Sequence, residues 1–222
     1  MRFRIDLKIF LFVILFYFTK QIEIYGMIMF FAIIHEFGHL LAGLLLGMKP
    51  EKIEIMPYGV SISFKLTPKD YNKKIKCGNQ LELKKILVAL AGPITNVIII
   101  LIILQMNMNV FRALMVLYSN LLLILFNLLP IYPLDGGRII KGILHICLGK
   151  MKAEKYINHI SFITLIIVTF ISSIAVYQAE NVALFLIVLV LCGIFIREDR
   201  MYKKRNKIYQ LLEKSIEIKR NK

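Results

Sequence analysis

His35-Glu36-Phe37-Gly38-His39 stands inside an otherwise apolar run of this 222-residue chain. On a helix, residues i and i+4 share a face, so both imidazoles can be turned on one divalent cation. Glu36, about a quarter-turn away, can reach a water held by that ion and take its proton. With only 4 His in the chain, an HExxH would arise by chance about 0.002 times. The structural alternative has these side chains bonding to neighbouring helices. It must then set three ionisable groups near mid-membrane, where they are costly and by default functional. A zinc site that activates water uses three protein ligands and keeps a fourth position open. Asp135 is the candidate third ligand, within Asn127-Leu128-Leu129-Pro130-Ile131-Tyr132-Pro133-Leu134-Asp135-Gly136-Gly137. Two prolines stop the preceding helix and the glycine pair permits a tight turn. Asp135 is therefore expected on irregular backbone beside the membrane, where a buried or wet setting tolerates it. An ordinary loop turn would account for the same Asp-Gly-Gly.

The elements that must hold these groups are membrane spans. Hydrophobic residues make up 58% of the chain and mean hydropathy is +0.70, against about 45–50% apolar residues in soluble domains. The excess lies in blocks near 7–19, 24–48, 86–106, 112–129, 157–178 and 181–196. A helix needs about 20 apolar residues to cross a bilayer, so six spans are expected. This composition excludes a soluble globular enzyme and a disordered chain. The first and last blocks are short, at the lower limit for a span. Basic residues fall in the N-terminus, in the 49–85 and 130–156 loops and in the tail from Arg197, with only Lys20 and Arg112 elsewhere. The positive-inside rule then puts both termini in the cytosol. The net charge of +15 is read as this loop bias, and no nucleic-acid binding is expected. Cys77, Cys147 and Cys192 show no CxxC spacing and are read as unpaired thiols. No cleavable signal peptide is evident.

In the 49–85 loop, Val60-Ser61-Ile62-Ser63-Phe64-Lys65-Leu66 alternates strictly, as does Lys52-Ile53-Glu54-Ile55, with Pro57-Tyr58-Gly59 between. Period-2 alternation around a turn signal predicts a small cytosolic β-hairpin. An amphipathic lid on the lipid surface is the other reading. The chain thus divides into a six-span core, 1–196, and a tail, 197–222, with ten basic and four acidic residues. Apolar positions 208, 211, 212 and 216 predict a basic amphipathic helix in that tail, lying on anionic lipid.

HEFGH in one span and NLLPIYPLDGG at the end of a later one resemble the site-2 protease family of intramembrane zinc metalloproteases. The likeness is nearest to its stage IV sporulation protein FB branch. Ala91-Gly92-Pro93-Ile94-Thr95-Asn96 fits the family's third, weaker motif. The resemblance implies an all-α polytopic fold and one zinc per chain held by His35, His39 and Asp135. It implies Glu36 as catalytic acid/base, with Asn127 near the site to orient substrate or stabilise the oxyanion. It also implies a membrane-associated protein substrate, in that branch the precursor of sporulation sigma factor K. With it come membrane inhibitor proteins as partners and a mother-cell membrane around the forespore as location. Neither a PDZ domain nor the CBS domains of the sporulation branch have room in the chain.

The remaining features carry less. Gly92-Pro93 is expected to break its helix and open a path for water. Asn96 is read as a polar helix-packing contact, and Gly38, Ala42 and Gly43 as points of close helix approach. His145 and His159 are read as ordinary residues in or near a loop. A general site-2 protease acting on anti-sigma factors or signal-peptide remnants is the alternative within the class. A membrane metal-ion transporter is the alternative outside it. A transporter would need liganding groups along a path and usually internal repeats, and the sequence shows one compact cluster.

Overall fold

A computed structural model describes residues 2–5, 13, 17, 22–56, 59–65, 75–106, 110–179 and 182–220. The expected first span, 7–19, apart from residues 13 and 17, and most of the turn at 57–59 lie outside them. The chain divides into two compact units, Met1–Leu128 and Leu129–Lys222.

The first unit is built on α1, Ile22–Leu45. Its 24 residues give about 36 Å at 1.5 Å per residue, enough to cross the ~30 Å hydrocarbon core. Gly47 ends it, with φ +74°. The Gly47 N–H donates to the Leu44 carbonyl and the Met48 N–H to the Gly43 carbonyl, each at 2.9 Å. This is the Schellman pattern, in which a left-handed residue at C′ satisfies the last carbonyls. Lys84 adds a further cap, its Nζ 2.9 Å from the Leu46 carbonyl. The chain then enters strand β2, Lys49–Met56, which pairs antiparallel with β3, Gly59–Lys65, as alternation predicts. The register shifts between Pro50 and Lys52, a bulge where a proline is tolerated. An unforeseen third strand, β1 at Arg2–Ile5, pairs parallel to β2, giving the order β1-β2-β3.

Two more helices complete this unit: α2, Ile75–Gln105, and α3, Val110–Asn127. Helices α1, α2 and α3 pack on one another around Phe31, Ala32, Val116 and Leu123, with Ile99 and Ile103 of α2 against them. Two expectations are corrected here. Residues 75–85 are helical, so the loop between spans is shorter than 49–85. Pro93 does not break its helix, because α2 runs through it. A proline removes one N–H and frees one carbonyl, a loss that membrane helices absorb locally.

In the second unit, Pro130 and Pro133 follow the end of α3 and separate it from α4, Asp135–Leu148. Gly149, with φ +79°, divides α4 from α5, Lys150–Ala179, and α6, Val182–Arg220, follows. Helix α5 packs on both α4 and α6. The expected 130–156 loop is therefore mostly helix. The tail is not a separate amphipathic helix either, because α6 continues to Arg220. Asp199 and Arg205 of α6 bond to Asn158 and Glu154 of α5 at 3.1 and 3.3 Å, so that stretch is docked on protein.

Among the described residues, three helices are long and apolar enough to cross a membrane: Ile22–Leu45, Asn79–Gln105 and Lys150–Ile174. Arg112–Asn127 is a shorter apolar helix. Six spans are thus not borne out. The outward positions of these helices are apolar, as with Phe30, Ile102 and Phe170, each more than half exposed. That surface suits hydrocarbon and not water.

Candidate metal centre

Both histidines of the HExxH lie on the buried side of α1, each 3% exposed. His39 Nδ1 lies 2.6 Å from the Val88 carbonyl oxygen of α2. A carbonyl only accepts, so Nδ1 carries the hydrogen and donates it. The neutral ring then has its lone pair on Nε2, a coupling of partner and tautomer common in metal-ligating histidines. That Nε2 is 3.2 Å from Nε2 of His35, with ring centroids 4.8 Å apart and planes at 88°. Two nitrogens ~2.05 Å from one tetrahedral zinc would lie ~3.3 Å apart, so this pair is spaced as two ligands of one ion.

Close approach of α2 makes room for the pair. Gly92 is buried, and a Cβ built on it would fall 2.5 Å from His35 Nε2 and from His39 Cε1 and Nε2. Gly92-Pro93 is thus a seat for the two imidazoles and not a break in the helix. On the other helix, a Cβ at Gly38 would collide with the Thr95 side chain, whose hydroxyl donates to the Ala91 carbonyl at 2.8 Å. Gly38 is therefore a point of close helix approach, as expected. Gly43 differs, since its neighbour is the ring of Phe64 from β3.

Asp135 is 4% exposed and is the first residue of α4. The expectation of irregular backbone is corrected by one position: the irregular segment is 129–134, and Asp135 opens the helix behind it. An anion in that first turn is favoured by the unpaired N–H groups of the helix end. Arg138 Nη1 stands 3.7 Å from its carboxylate. Among the described residues, His35, His39 and Asp135 are all buried, and each offers one ligand atom that could hold a metal ion. Two imidazoles and a carboxylate are a donor set that suits zinc.

Glu36 is half-buried beside His35 on α1. Asn127 closes α3, and its Nδ2 donates to the Leu123 carbonyl at 3.1 Å, so one of its two amide hydrogens is engaged within its own helix. Asn96 is fully buried, yet neither of its amide atoms has a hydrogen-bond partner among the described residues; the expected polar helix contact is absent. His145 and His159 lie on helices α4 and α5 and not in a loop. Cys147 and Cys192 are free. Sequence reasoning missed the Val88 carbonyl, since a backbone acceptor leaves no residue-type signal. It also missed Ser161 of α5, whose hydroxyl accepts from the Tyr132 N–H at 3.0 Å.

Comparison with known proteins gives three findings. The pattern of peptidase family M50 matches residues 24–113 and 104–171. A curated zinc metalloprotease, MJ0392 of Methanocaldococcus jannaschii, is 32% identical over 130 residues, 55% of this chain. The match spans 34% of that relative's length, so the chain covers about a third of it. The solved structure of a site-2 protease from Methanocaldococcus jannaschii superposes with a TM-score of 0.60 over 86% of this chain and 88% of the other, at 22% identity. That likeness shows a shared fold.

Proposed function

The chain belongs to peptidase family M50, and from that premise we propose that it is a zinc endopeptidase cutting a membrane-associated protein within or beside the bilayer. His35, His39 and Asp135 hold the metal in this reading. The observation that carries it is the 3.2 Å approach of the two Nε2 atoms, with one tautomer fixed by the Val88 carbonyl. Zinc bound there supplies an acidified water and polarises the scissile carbonyl. Glu36 takes the proton of the attacking water and returns it to the leaving amine. Asn127 is assigned to orienting the substrate or its developing oxyanion, through the amide hydrogen that the Leu123 carbonyl does not take.

A helical substrate hides its amides in its own hydrogen bonds, so it must be unwound before attack. The sheet order β1-β2-β3 leaves β3 at an edge among the described residues. An edge strand can take up an extended peptide by strand addition, and we assign β3 that role. Both termini are placed in the cytosol by the distribution of basic residues, which puts the sheet on that side. For the substrate itself, the motif resemblance favours the precursor of sporulation sigma factor K, cut at the mother-cell membrane around the forespore. Anti-sigma factors or signal-peptide remnants are the reading that needs only family membership.

The test co-expresses the chain with each class of tethered substrate, using Glu36→Gln as the inactive control. Release of a substrate fragment by the wild-type chain and not by the variant is the expected result. Equal release by both chains would refute the mechanism. Cleavage of only the anti-sigma or signal-peptide class would refute the sporulation reading and leave the zinc endopeptidase standing.

A further inference from the structure

A buried carboxylate that the proposed chemistry does not use lies beside the segment leading to Asp135. Glu154 of α5 is 7% exposed, and its two oxygens are divided between two other helices. One is 3.9 Å from Lys141 Nζ of α4. The other accepts a bond from Arg205 Nε of α6 at 3.3 Å. Lys141 in turn lies over the ring of Tyr132, 4.2 Å from its centroid, a cation–π contact that fixes both side chains.

Tyr132 belongs to the irregular segment 129–134, and three further contacts hold its backbone. Its N–H donates to Ser161 Oγ at 3.0 Å, and that hydroxyl donates to the Pro130 carbonyl at 3.4 Å. Ile131 is fully buried. Gly137 lies against the Ile131–Tyr132 peptide, where a Cβ would fall 2.5 Å from the Ile131 carbonyl carbon. Asp135 follows Tyr132 by three residues, so whatever holds this segment also sets where the carboxylate of Asp135 begins.

We propose that Glu154 is a positioning residue for Asp135, holding Lys141 against Tyr132 and binding Arg205 in the same clasp. The inference rests on the reading of Asp135 as a zinc ligand. A buried ion pair is a weak device for stability alone, because desolvation offsets much of its attraction. Removing one partner, however, strands the other and lets the segment it braced move. Groups that orient metal ligands from behind typically change affinity or activity 10–100-fold when replaced. The clasp also joins the C-terminal half of α6 to the segment before Asp135, since Arg205 is reached through the same carboxylate.

The test measures zinc release from the purified full-length chain in detergent, against excess chelator, beside its thermal unfolding. Four variants are compared with wild type: Asp135→Asn, Glu154→Gln, Tyr132→Leu, and Glu154→Gln with Tyr132→Leu. Asp135→Asn should release zinc fastest. Glu154→Gln should release it about tenfold faster than wild type at a temperature where the protein stays folded. The double variant should be no faster than the faster single one, because both changes break one chain of contacts. A helix-packing ion pair without a positioning role would lower the unfolding temperature and leave zinc release unchanged. That outcome, or effects that simply multiply in the double variant, would overturn the proposal. Should Glu154→Gln fail to fold, Glu154→Asp keeps the charge with a shorter reach and should release zinc at an intermediate rate; a wild-type rate would overturn the proposal. Wild-type release from Asp135→Asn would instead refute the ligand reading, and the proposal would fall with it.

Discussion

Replacing Gly92 by alanine adds one methyl group, and the structure says where it must go. The new Cβ falls 2.5 Å from His35 Nε2 and from His39 Nε2, about 0.9 Å inside ordinary contact between carbon and nitrogen. The atoms it meets are the far ends of two side chains, so the rings can swing aside without unfolding the protein. An overpacked core costs about 1–3 kcal/mol, offset by the ~0.5–1 kcal/mol that alanine gains over glycine inside a helix. The net loss of stability should be about 0–2.5 kcal/mol. Metal binding is less forgiving, since ligand distances tolerate only about ±0.2 Å, and a displacement near 1 Å can cost on the order of 10²-fold in activity. Gly92→Ala should therefore fold, lose most of its zinc and cleave at least ~10²-fold more slowly. Gly26→Ala, in α1 and with nothing within 4 Å of its Cβ, is the control and should keep both zinc and activity. Zinc content by mass spectrometry, thermal unfolding and fragment release are the three measurements. A folded Gly92→Ala enzyme with full zinc and wild-type cleavage would refute the reasoning, because the two Nε2 atoms could then not share an ion at that spot.

Glu36→Gln should keep zinc and fold while cleavage falls ~10²-fold or more, the usual loss for a missing general base; activity within a few-fold of wild type would sink that assignment. His39→Ala should remove most of the zinc from purified protein, which would otherwise hold about one per chain, and full occupancy in the variant would exclude His39 as a ligand. In a background lacking Cys77, Cys147 and Cys192, Met151→Cys, at a position 44% exposed, should react with a polar thiol reagent from the cytosolic face; labelling only from the other face would overturn the topology. Lys203 and Asn158 hold the Asp199 carboxyl below its usual range, against some opposing burial. Its stabilisation is thus present above about pH 4 and lost as pH falls through the lowered value. Asp199→Asn should cost a few tenths of a kcal/mol at pH 7, as exposed pairs do, and nothing measurable at pH 2; an undiminished cost at pH 2 would contradict the ion pair.

The sequence carried the chemistry because that chemistry depends on residue type and short-range spacing. His35 and His39 share a helix face at i and i+4 whatever the helix packs against. Alternation at 52–55 and 60–66 specifies a hairpin, because a period of two puts one set of side chains on one face. Hydropathy likewise located three apolar helices, though not six spans. It also set the 197–222 tail apart, where α6 runs on through it to Arg220. Tertiary structure decided the rest. Gly92 looked like a break because its neighbour is a proline, and only the position of α1 shows it to be a seat for two imidazoles. Val88 orients His39 through a backbone carbonyl that every residue type possesses, so no letter could announce it. Glu154 and Arg205 are 51 residues apart, and their meeting depends on how α5 and α6 pack. Local periodicity is set by the geometry of a single element, which the sequence alone dictates. Partners that meet across elements are chosen by packing, which only the folded chain supplies.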